Sequence, residues 1–335
     1  MKIFVEDAPS FYHVALYNEL VKDIDISVVY SEDKHYDRSR NEDFFGSEPR
    51  YRVTYIDGNL LKKAKMVVSI LRHTEYEEIV IGGWGHLGHW LFWFFSPKKK
   101  NSCIIESSLL ESQKNGIRGF VKRMFLKKIS TVYAAGMLQA QLAYSLGFKG
   151  NITISGGCGL LNYKPQPSFE KRTVVKNFLY VGRFVKVKNL KLLIEAFNKL
   201  PQLNLMMVGF GEEEENLKAI AMPNIKFLGQ IKNIELWQYY RDADVFILPS
   251  LSETWGLVVE EALNNGTPVI VSDRVGCKDD LVTSDTGLVF KHDSIEDLID
   301  KINLITDIGF YNNLRLGVSK LNFIERAQQQ INTFI

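Results

Sequence analysis

The sequence predicts an α/β protein with two doubly wound, Rossmann-like domains that face a central cleft. Short apolar runs alternate with amphipathic stretches along most of the 335 residues, as expected for βαβ units around parallel sheets. A polar stretch with two prolines, 162–172, interrupts the alternation and is typical of an interdomain linker. The length suits two domains of roughly 150 residues each.

The apolar runs predict a succession of strands in each half of the chain. The predicted strands are 2–5, 25–30, 52–56, 78–82, 102–106, 130–133 and 151–154, followed by 177–181, 203–208, 224–228, 244–248, 268–272 and 287–290. The predicted helices of the first half are 11–22, 59–72, 85–95, 115–128 and 136–146. We therefore expect an N-terminal acceptor-binding domain at 1–165 and a C-terminal donor-binding domain at 166–315. A helical segment at 316–335 is a candidate for crossing back to the first domain.

Composition and cysteine usage indicate a cytoplasmic protein. Apolar residues make up 46% and charged residues 24% of the chain, which is ordinary for a globular protein. Cys103, Cys158 and Cys277 are scattered and lack metal-ligand spacing, so a reducing compartment and no metal site are expected. Acidic residues follow the first few positions, where a signal peptide would need an apolar run.

The apolar stretch 79–96 just reaches the length of a membrane span. Gly82, Gly83, His86 and His89 interrupt it. We therefore interpret it as a buried strand, a glycine turn and a short aromatic helix.

The net charge of +2 hides an excess of basic residues in the first half and of acidic residues in the second. The basic excess is concentrated in 98–128, where the pattern is also amphipathic. Two interpretations stay open: contact with an anionic membrane surface, or a solvated face whose apolar side packs on the sheet. Nucleic acid is not an expected partner, because no recognition motif accompanies the charge.

The loop after strand 177–181 combines a glycine with three cations, Arg183, Lys186 and Lys188, just before a predicted helix. A helix N-terminus offers free amide donors and a partial positive charge, and fixed cations beside it suit a pyrophosphate. A solvated basic loop is the alternative interpretation.

Two carboxylates bracket the start of the helix that follows strand 244–248. Glu253 lies in the loop and Glu261 lies within the helix, so both are able to face one ligand. The amides of Trp255, Gly256 and Leu257 point into the same space and suit phosphate or a developing negative charge. A helix-start acid and a surface charge are the alternative interpretations of these two carboxylates.

Taken together, these segments resemble the retaining glycosyltransferases of family 4, which have the GT-B fold. The resemblance covers about 177–290 and rests on Gly182-Arg183…Lys188, Val208-Gly209-Phe210-Gly211, Phe227-Leu228-Gly229, Ala243-Asp244…Pro249-Ser250, Glu253…Glu261, Gly266-Thr267-Pro268-Val269, Val275-Gly276 and Thr286-Gly287-Leu288.

The resemblance implies a role for each matching residue. Arg183 and Lys188 would bind the donor diphosphate beside Gly182 and Gly209, and Glu253 would hold hydroxyls of the transferred sugar. Glu261 would bind the ribose. The remaining implied donor contacts come from the backbone, at Gly229 to Ile231 for the base and at Thr254, Trp255, Gly256 and Leu257 beside the sugar. Neither a metal nor a cofactor would be needed, and a UDP-sugar is favoured over a GDP-sugar.

The first domain departs from the family pattern. A paired glycine is common after the first strand, whereas this chain has Asp7 to His13 there. Side chains such as Tyr12 and His13 are candidates to replace the backbone approach, and Trp84, His86 and Glu106 follow other strand ends. These five residues are the candidate acceptor side, with ordinary hydrogen-bonded histidines as the alternative.

The function expected from the resemblance is transfer of a sugar from a nucleotide-sugar to a sugar or to a polyprenyl- or lipid-linked acceptor. The setting would be surface polysaccharide or glycolipid assembly, with the protein cytoplasmic and a candidate for peripheral attachment to the inner membrane face. Two alternatives stay open: a sugar-nucleotide epimerase or hydrolase of the same fold, and a non-catalytic sugar-nucleotide-binding subunit.

Overall fold

The protein is described by a computed structural model that covers residues 1–31, 48–161 and 163–335. The chain forms two compact units: unit 1 comprises Met1–Leu161 with Glu325–Ile335, and unit 2 comprises Asn162–Ile324. The division therefore falls a few residues before the predicted boundary at 165. Only the last part of the predicted crossing segment, Glu325–Ile335, joins unit 1. Asn162, the first residue of the predicted linker, lies outside the described residues.

Unit 1 is built around a parallel sheet of seven strands, in the order β3-β2-β1-β4-β5-β6-β7. Its strands are β1 (Lys2–Glu6), β2 (Ile26–Tyr30), β3 (Arg52–Tyr55), β4 (Glu78–Ile81), β5 (Asn101–Ile105), β6 (Thr131–Ala134) and β7 (Asn151–Ile154). The helices between them are α1 (Phe11–Leu20), α2 (Leu60–His73), α3 (Leu87–Phe95), α4 (Gly116–Leu126) and α5 (Met137–Ser145).

Unit 2 is built around a parallel sheet of six strands, in the order β10-β9-β8-β11-β12-β13. Its strands are β8 (Asn177–Val181), β9 (Asn204–Val208), β10 (Ile225–Gly229), β11 (Val245–Leu248), β12 (Val269–Ser272) and β13 (Gly287–Phe290). Its helices are α6 (Leu190–Asn198), α7 (Glu214–Ile220), α8 (Leu236–Asp242), α9 (Leu257–Asn264), α10 (Lys278–Leu281), α11 (Ile295–Ile305) and α12 (Ile308–Val318). The last helix, α13 (Phe323–Thr333), spans the division between the units.

The observed strands agree with the predicted ones to within one residue at each end. The predicted helical segment at 316–335 is interrupted, because the chain turns between α12 and α13. The turn allows Phe323, which is buried, to pack against the ring of Tyr163 at 5.6 Å between centroids. Among the described residues no helix is both long and apolar enough to cross a membrane, and 79–96 forms most of β4 and α3 instead.

Both faces of the unit 1 sheet are buried, which explains why its strands are nearly continuous apolar runs. On β1, Ile3 and Val5 join one core cluster and Phe4 joins the other. The end of α13 belongs to the second cluster, because the ring of Phe334 lies 5.9 Å from that of Phe4. Lys2 Nζ also donates to the Phe334 carbonyl at 2.6 Å. These contacts place the C-terminal residues in unit 1.

Each sheet has one point at which the strand order reverses, between β1 and β4 in unit 1 and between β8 and β11 in unit 2. The loops that leave two such strands diverge to opposite faces of the sheet and open a crevice at its carboxyl edge. The residues expected at a ligand site are therefore those that follow β1, β4, β8 and β11.

The predicted linker is attached to unit 2 rather than free. The backbone N–H of Arg172 donates to Asn312 Oδ1 at 2.9 Å, and Asn312 Nδ2 donates back to the Arg172 carbonyl at 3.0 Å. Gln166 Nε2 donates to the Leu263 carbonyl at 3.1 Å. These hydrogen bonds fix the polar, proline-containing stretch against α12 and α9.

Asp244, which precedes β11, has a structural role. Its buried carboxylate accepts hydrogen bonds from the backbone N–H groups of Lys176 and Asn177, both at 2.9 Å. These bonds join the start of β8 to the start of β11. Asp242, two residues earlier, is exposed at the end of α8.

We expect Asp244→Ala to lower the free energy of unfolding of unit 2 by about 1–3 kcal/mol, because two backbone donors lose their acceptor. Asp242→Ala is the matched control and should be close to neutral. Urea denaturation followed by circular dichroism measures both variants. Equal stability of the two would contradict the role given to Asp244.

Candidate active site

Three glycines shape the carboxyl edge of the unit 2 sheet. Gly182 and Gly209 directly follow β8 and β9, Gly229 is the last residue of β10, and their backbones are linked. The N–H of Gly182 donates to the Val208 carbonyl at 3.0 Å, and the N–H of Gly209 donates to the Gly229 carbonyl at 2.8 Å. A Cβ on Gly209 would lie 1.9 Å from the Gly182 carbonyl oxygen, so only glycine permits this approach. The predicted donor glycines therefore lie together.

The basic loop after β8 places its cations beside these glycines. Arg183 is exposed, and its guanidinium makes no hydrogen bond or ion pair with the described residues. Lys186 to Lys188 form a single 3-10 turn, and Asn189 then adopts a left-handed conformation (φ 57°) before α6. The Asn189 side chain donates to the His292 carbonyl at 2.8 Å, which ties the loop to the end of β13.

Glu253 lies in the loop after β11 and forms an ion pair with Lys188. The same carboxylate oxygen, Oε2, accepts a hydrogen bond from Lys188 Nζ and one from Ser250 Oγ at 3.3 Å. Both charged side chains are partly buried, with 15% and 16% of their surface exposed. The pair thus joins the two strands, β8 and β11, between which the strand order reverses.

The backbone of the Glu253 loop is fixed by its neighbour. Glu253 pairs with Val275 in a short parallel bridge, and the N–H of Gly276 donates to the Glu253 carbonyl at 3.0 Å. A Cβ on Gly276 would lie 1.8 Å from the Thr254 carbonyl oxygen, so the close approach requires glycine. Thr254 itself is exposed at the mouth of the loop.

The start of α9 places backbone amide donors next to Glu253. Gly256 precedes the helix with φ 106°, a conformation that favours glycine, and this N-cap residue has no side chain to cap the first turn. Leu257 is the first helical residue and is only partly buried. This terminus carries a partial positive charge that suits an anion.

Trp255 does not offer its side chain to a ligand, although its position in the loop was predicted correctly. The indole is buried, with 1% of its surface exposed, and its Nε1 donates to Glu260 Oε1 at 2.6 Å. Glu260 also accepts from the Tyr163 hydroxyl at 2.7 Å. Sequence reasoning missed Glu260, because an acid beside Glu261 in a helix carries no separate signal.

Glu261 is not a surface charge. Its Oε2 accepts a hydrogen bond from the Tyr240 hydroxyl at 2.8 Å, and its Oε1 accepts one from Asn233 Nδ2 at 3.2 Å. Burial raises the pKa of Glu261 above its ordinary value, although both hydrogen bonds oppose the shift. Asn233 follows Gly229 and Ile231, so the Glu261 carboxylate lies next to the loop predicted to hold a base.

Unit 1 has a second polar cluster at the carboxyl edge of its own sheet. The Nε2 of His13, in α1, is hydrogen-bonded to Glu106 Oε1 at 2.9 Å, and its Nδ1 lies 3.8 Å from Glu6 Oε2. Glu6 ends β1 and also accepts a 2.5 Å hydrogen bond from the Tyr17 hydroxyl. His13 and Glu106 were both predicted for this edge. Glu6 was missed, although it lies at the end of its strand as Glu106 does.

Burial and mutual charge shift the pKa values of this cluster strongly. Burial raises the pKa of Glu6 to about 7, against the opposing effects of His13 and the Tyr17 hydrogen bond. Burial alone would lower the pKa of His13, but Glu6 and Glu106 outweigh it and raise that pKa to about 9. His13 is therefore an imidazolium at neutral pH, held between two carboxyl groups.

The other residues predicted for the acceptor side are distributed around this cluster. Tyr12 is adjacent, with its ring 4.6 Å from that of His13, and the nearby Glu106 raises its pKa. His86 Nε2 lies 3.4 Å from Asp7 Oδ2. Trp84, which follows β4, is partly buried, and its ring packs on Phe125 of α4 at 6.2 Å between centroids.

We expect the stability of unit 1 to fall as the pH rises from about 6.5 to about 9. The folded state raises the pKa of His13, so it binds a proton that the unfolded chain has lost in this range. Glu6→Gln should flatten the dependence, because it removes the carboxylate that most favours the imidazolium. In the wild type the free energy of unfolding should fall by on the order of 1–3 kcal/mol across this range.

Thermal unfolding at a series of pH values measures this effect, with Glu77→Gln as the control. Glu77 is 82% exposed and lies in the same unit. A pH dependence that is the same in wild type and Glu6→Gln would contradict the assignment.

The two doubly wound units are the architecture of the GT-B class. Sucrose-phosphate synthase from Thermosynechococcus elongatus has the same fold, with a TM-score of 0.75 at 20% identity over 100% of this chain and 98% of the other. Anabaena Alr3699/HepE in complex with UDP also matches, with a TM-score of 0.71 at 14% identity over 99% of both chains.

Comparison of sequences adds a family that the C-terminal unit resembles. Residues 165–320 match the family described as Glycosyl transferases group 1. Sulfoquinovosyl transferase SQD2 of Arabidopsis thaliana is 37% identical over 133 residues, which are 38% of this chain but only 26% of that protein. The aligned segment is thus about a quarter of that relative's length. The C-terminal unit of the chain is therefore similar to the group 1 glycosyltransferases.

Proposed function

We propose that the protein is a retaining glycosyltransferase that moves a sugar from a nucleotide-sugar, preferably a UDP-sugar, to a sugar or lipid-linked sugar acceptor. The setting that we propose is surface polysaccharide or glycolipid assembly in the cytoplasm. The similarity of residues 165–320 to the group 1 glycosyltransferases supports transfer of a sugar. The fold shared with a UDP complex, that of HepE, supports UDP as the nucleotide.

One observation carries the proposal: the Lys188–Glu253 ion pair lies where the strand order of unit 2 reverses, between an exposed arginine and a free helix N-terminus. Arg183, Lys188 and the first amides of α9 are three sources of positive charge around one carboxylate. This combination suits a sugar diphosphate, whose phosphates need the cations and whose hydroxyls need the carboxylate. These groups supply the charge compensation for which other transferases use a metal ion.

In the proposed reaction the bond between the anomeric carbon and the diphosphate oxygen breaks, and a bond to the acceptor oxygen forms on the same face. The acceptor proton goes to the departing phosphate oxygen. Arg183 and Lys188 stabilise the negative charge that develops on the leaving nucleotide, and the α9 amides assist. Glu253 accepts hydrogen bonds from the sugar hydroxyls and orients the ring.

We assign the nucleoside to Glu261 and to the loop that follows β10. Glu261, fixed by Tyr240 and Asn233, presents a carboxylate suited to two ribose hydroxyls. The backbone at Gly229 and Ile231 is assigned to the base. Backbone contacts to a base are consistent with the absence of a specific side-chain signal for uracil in the sequence.

We assign the acceptor to the polar cluster of unit 1. Glu106 is the member of that cluster with the greater exposure, 30%, whereas His13 and Glu6 are buried behind it. Its carboxylate accepts a hydrogen bond from an acceptor hydroxyl, and the His13 imidazolium holds it in place. Tyr12 and His86 flank the same position.

We expect Glu253→Gln to lower kcat by about 10²-fold or more, because one of the oriented contacts to the reacting sugar is lost. Affinity for UDP should change much less. Arg183→Ala should lower both kcat and UDP affinity, since it contacts the diphosphate. Lys199→Ala is the control for a lost cation, because this exposed lysine at the end of α6 lies outside the site.

UDP release from a panel of UDP-sugars, with and without candidate acceptors, measures these effects. Near-normal turnover in both Glu253→Gln and Arg183→Ala would contradict the site assignment. Acceptor-independent consumption of the donor would favour the epimerase or hydrolase alternative. Donor binding without turnover under any condition would favour the non-catalytic subunit.

A further inference from the structure

Helix α4 has two apolar faces, of which only one is used inside unit 1. Phe125 and Leu126 are buried against the sheet. Ile117, Phe120 and Met124 lie on the opposite face at a spacing of three and four residues, and Ile117 and Phe120 are 83% and 61% exposed. Packing on the sheet therefore explains only half of the amphipathic pattern of this segment.

The end of α3 extends this apolar surface. Phe94 and Phe95 are exposed, with 64% of the Phe94 surface accessible. The two helices are joined directly, since Trp93 Nε1 donates to the Phe125 carbonyl at 2.7 Å. Lys128, just beyond α4, lies with its Nζ 5.7 Å from the centroid of the Phe94 ring. The exposed aromatic pair and the α4 stripe thus belong to neighbouring helices.

A basic groove borders this surface. It has a volume of about 510 Å³, and four of its lining residues are cations: Lys98, Arg123, Lys127 and Lys149. Its apolar lining includes Leu126, Leu146 and Phe148, and no acidic residue lines it. None of the four cations forms an ion pair with a carboxylate within the described ranges. A concave site with unpaired charge of one sign suits an anion.

The groove is separate from the candidate active site. Its residues precede β5, β6 and β7, so the groove lies at the amino edge of the unit 1 sheet. The Glu6–His13–Glu106 cluster lies at the carboxyl edge of the same sheet. A ligand of the groove is therefore not the acceptor of the Glu106 cluster.

We propose that this face of unit 1 docks on an anionic lipid bilayer. The exposed side chains of α4 and α3 enter the boundary between headgroups and acyl chains, and the groove receives a headgroup phosphate. Charge selects this occupant, because apolar side chains bordered by the four cations of the groove complement a surface that is apolar within and negative outside. The proposal is independent of the transferase assignment, since its test measures binding and not turnover.

The test is flotation of the full chain with vesicles of phosphatidylcholine, with or without phosphatidylglycerol. We expect binding only when phosphatidylglycerol is present, and weaker binding at high salt. The double variant Ile117→Ser with Phe120→Ser should lower the bound fraction about tenfold, since the inserted side chains are lost. The matched control, Leu304→Ser with Leu316→Ser, removes two exposed leucines of unit 2 and should bind as wild type does.

A charge variant separates the contribution of the cations from that of the apolar side chains. It combines Lys98→Gln, Arg123→Gln and Lys127→Gln. It should lose the preference for phosphatidylglycerol while keeping its fold, as checked by circular dichroism. Equal binding by the Ile117/Phe120 variant and its leucine control would overturn the proposal, as would absence of binding by wild type. Dimerisation that depends on Ile117 and Phe120, seen by gel filtration with light scattering, would identify a second copy as the occupant and would also overturn it.

Discussion

The ion pair between Lys188 and Glu253 organises unit 2. It joins the loop after β8 to the loop after β11, at the one place where the doubly wound sheet opens a crevice. Two partly buried charges are costly unless they are paired, so each side chain fixes the other. The glycines around them let the backbones approach closely enough for the pair to form. A donor diphosphate and sugar would bind to groups that are already oriented.

Much of this arrangement could be predicted from the sequence, because local patterns determine it. Continuous apolar runs gave the strands to within a residue, and strand ends rich in glycine and charge marked the crevice. The contacts that support these groups could not be predicted. Glu260 beneath Trp255, and Tyr240 and Asn233 around Glu261, are brought together only by tertiary packing.

In unit 1, too, contacts that depend on tertiary packing could not be predicted from the sequence. His13 and Glu106 were assigned to one edge from their places after strands, but the buried carboxylate of Glu6 that completes the cluster was not foreseen. Trp84 was assigned to that edge too, and its partly buried ring packs against the core of unit 1. An aromatic residue after a strand serves a core as readily as a ligand, and sequence spacing does not distinguish the two. Likewise, the sequence did not show which apolar residues of α4 are exposed. That became clear only once the residues packed on the sheet were known.

We propose that the crevice of unit 2 binds a nucleoside diphosphate through its cations. Isothermal titration calorimetry with UDP, UMP and uridine tests it most directly. UDP should bind about tenfold or more tightly than UMP, since the second phosphate meets Arg183 and Lys188, and this ratio should collapse in Arg183→Ala. Equal affinities for UDP and UMP in the wild type, or a ratio unchanged in the variant, would contradict the account.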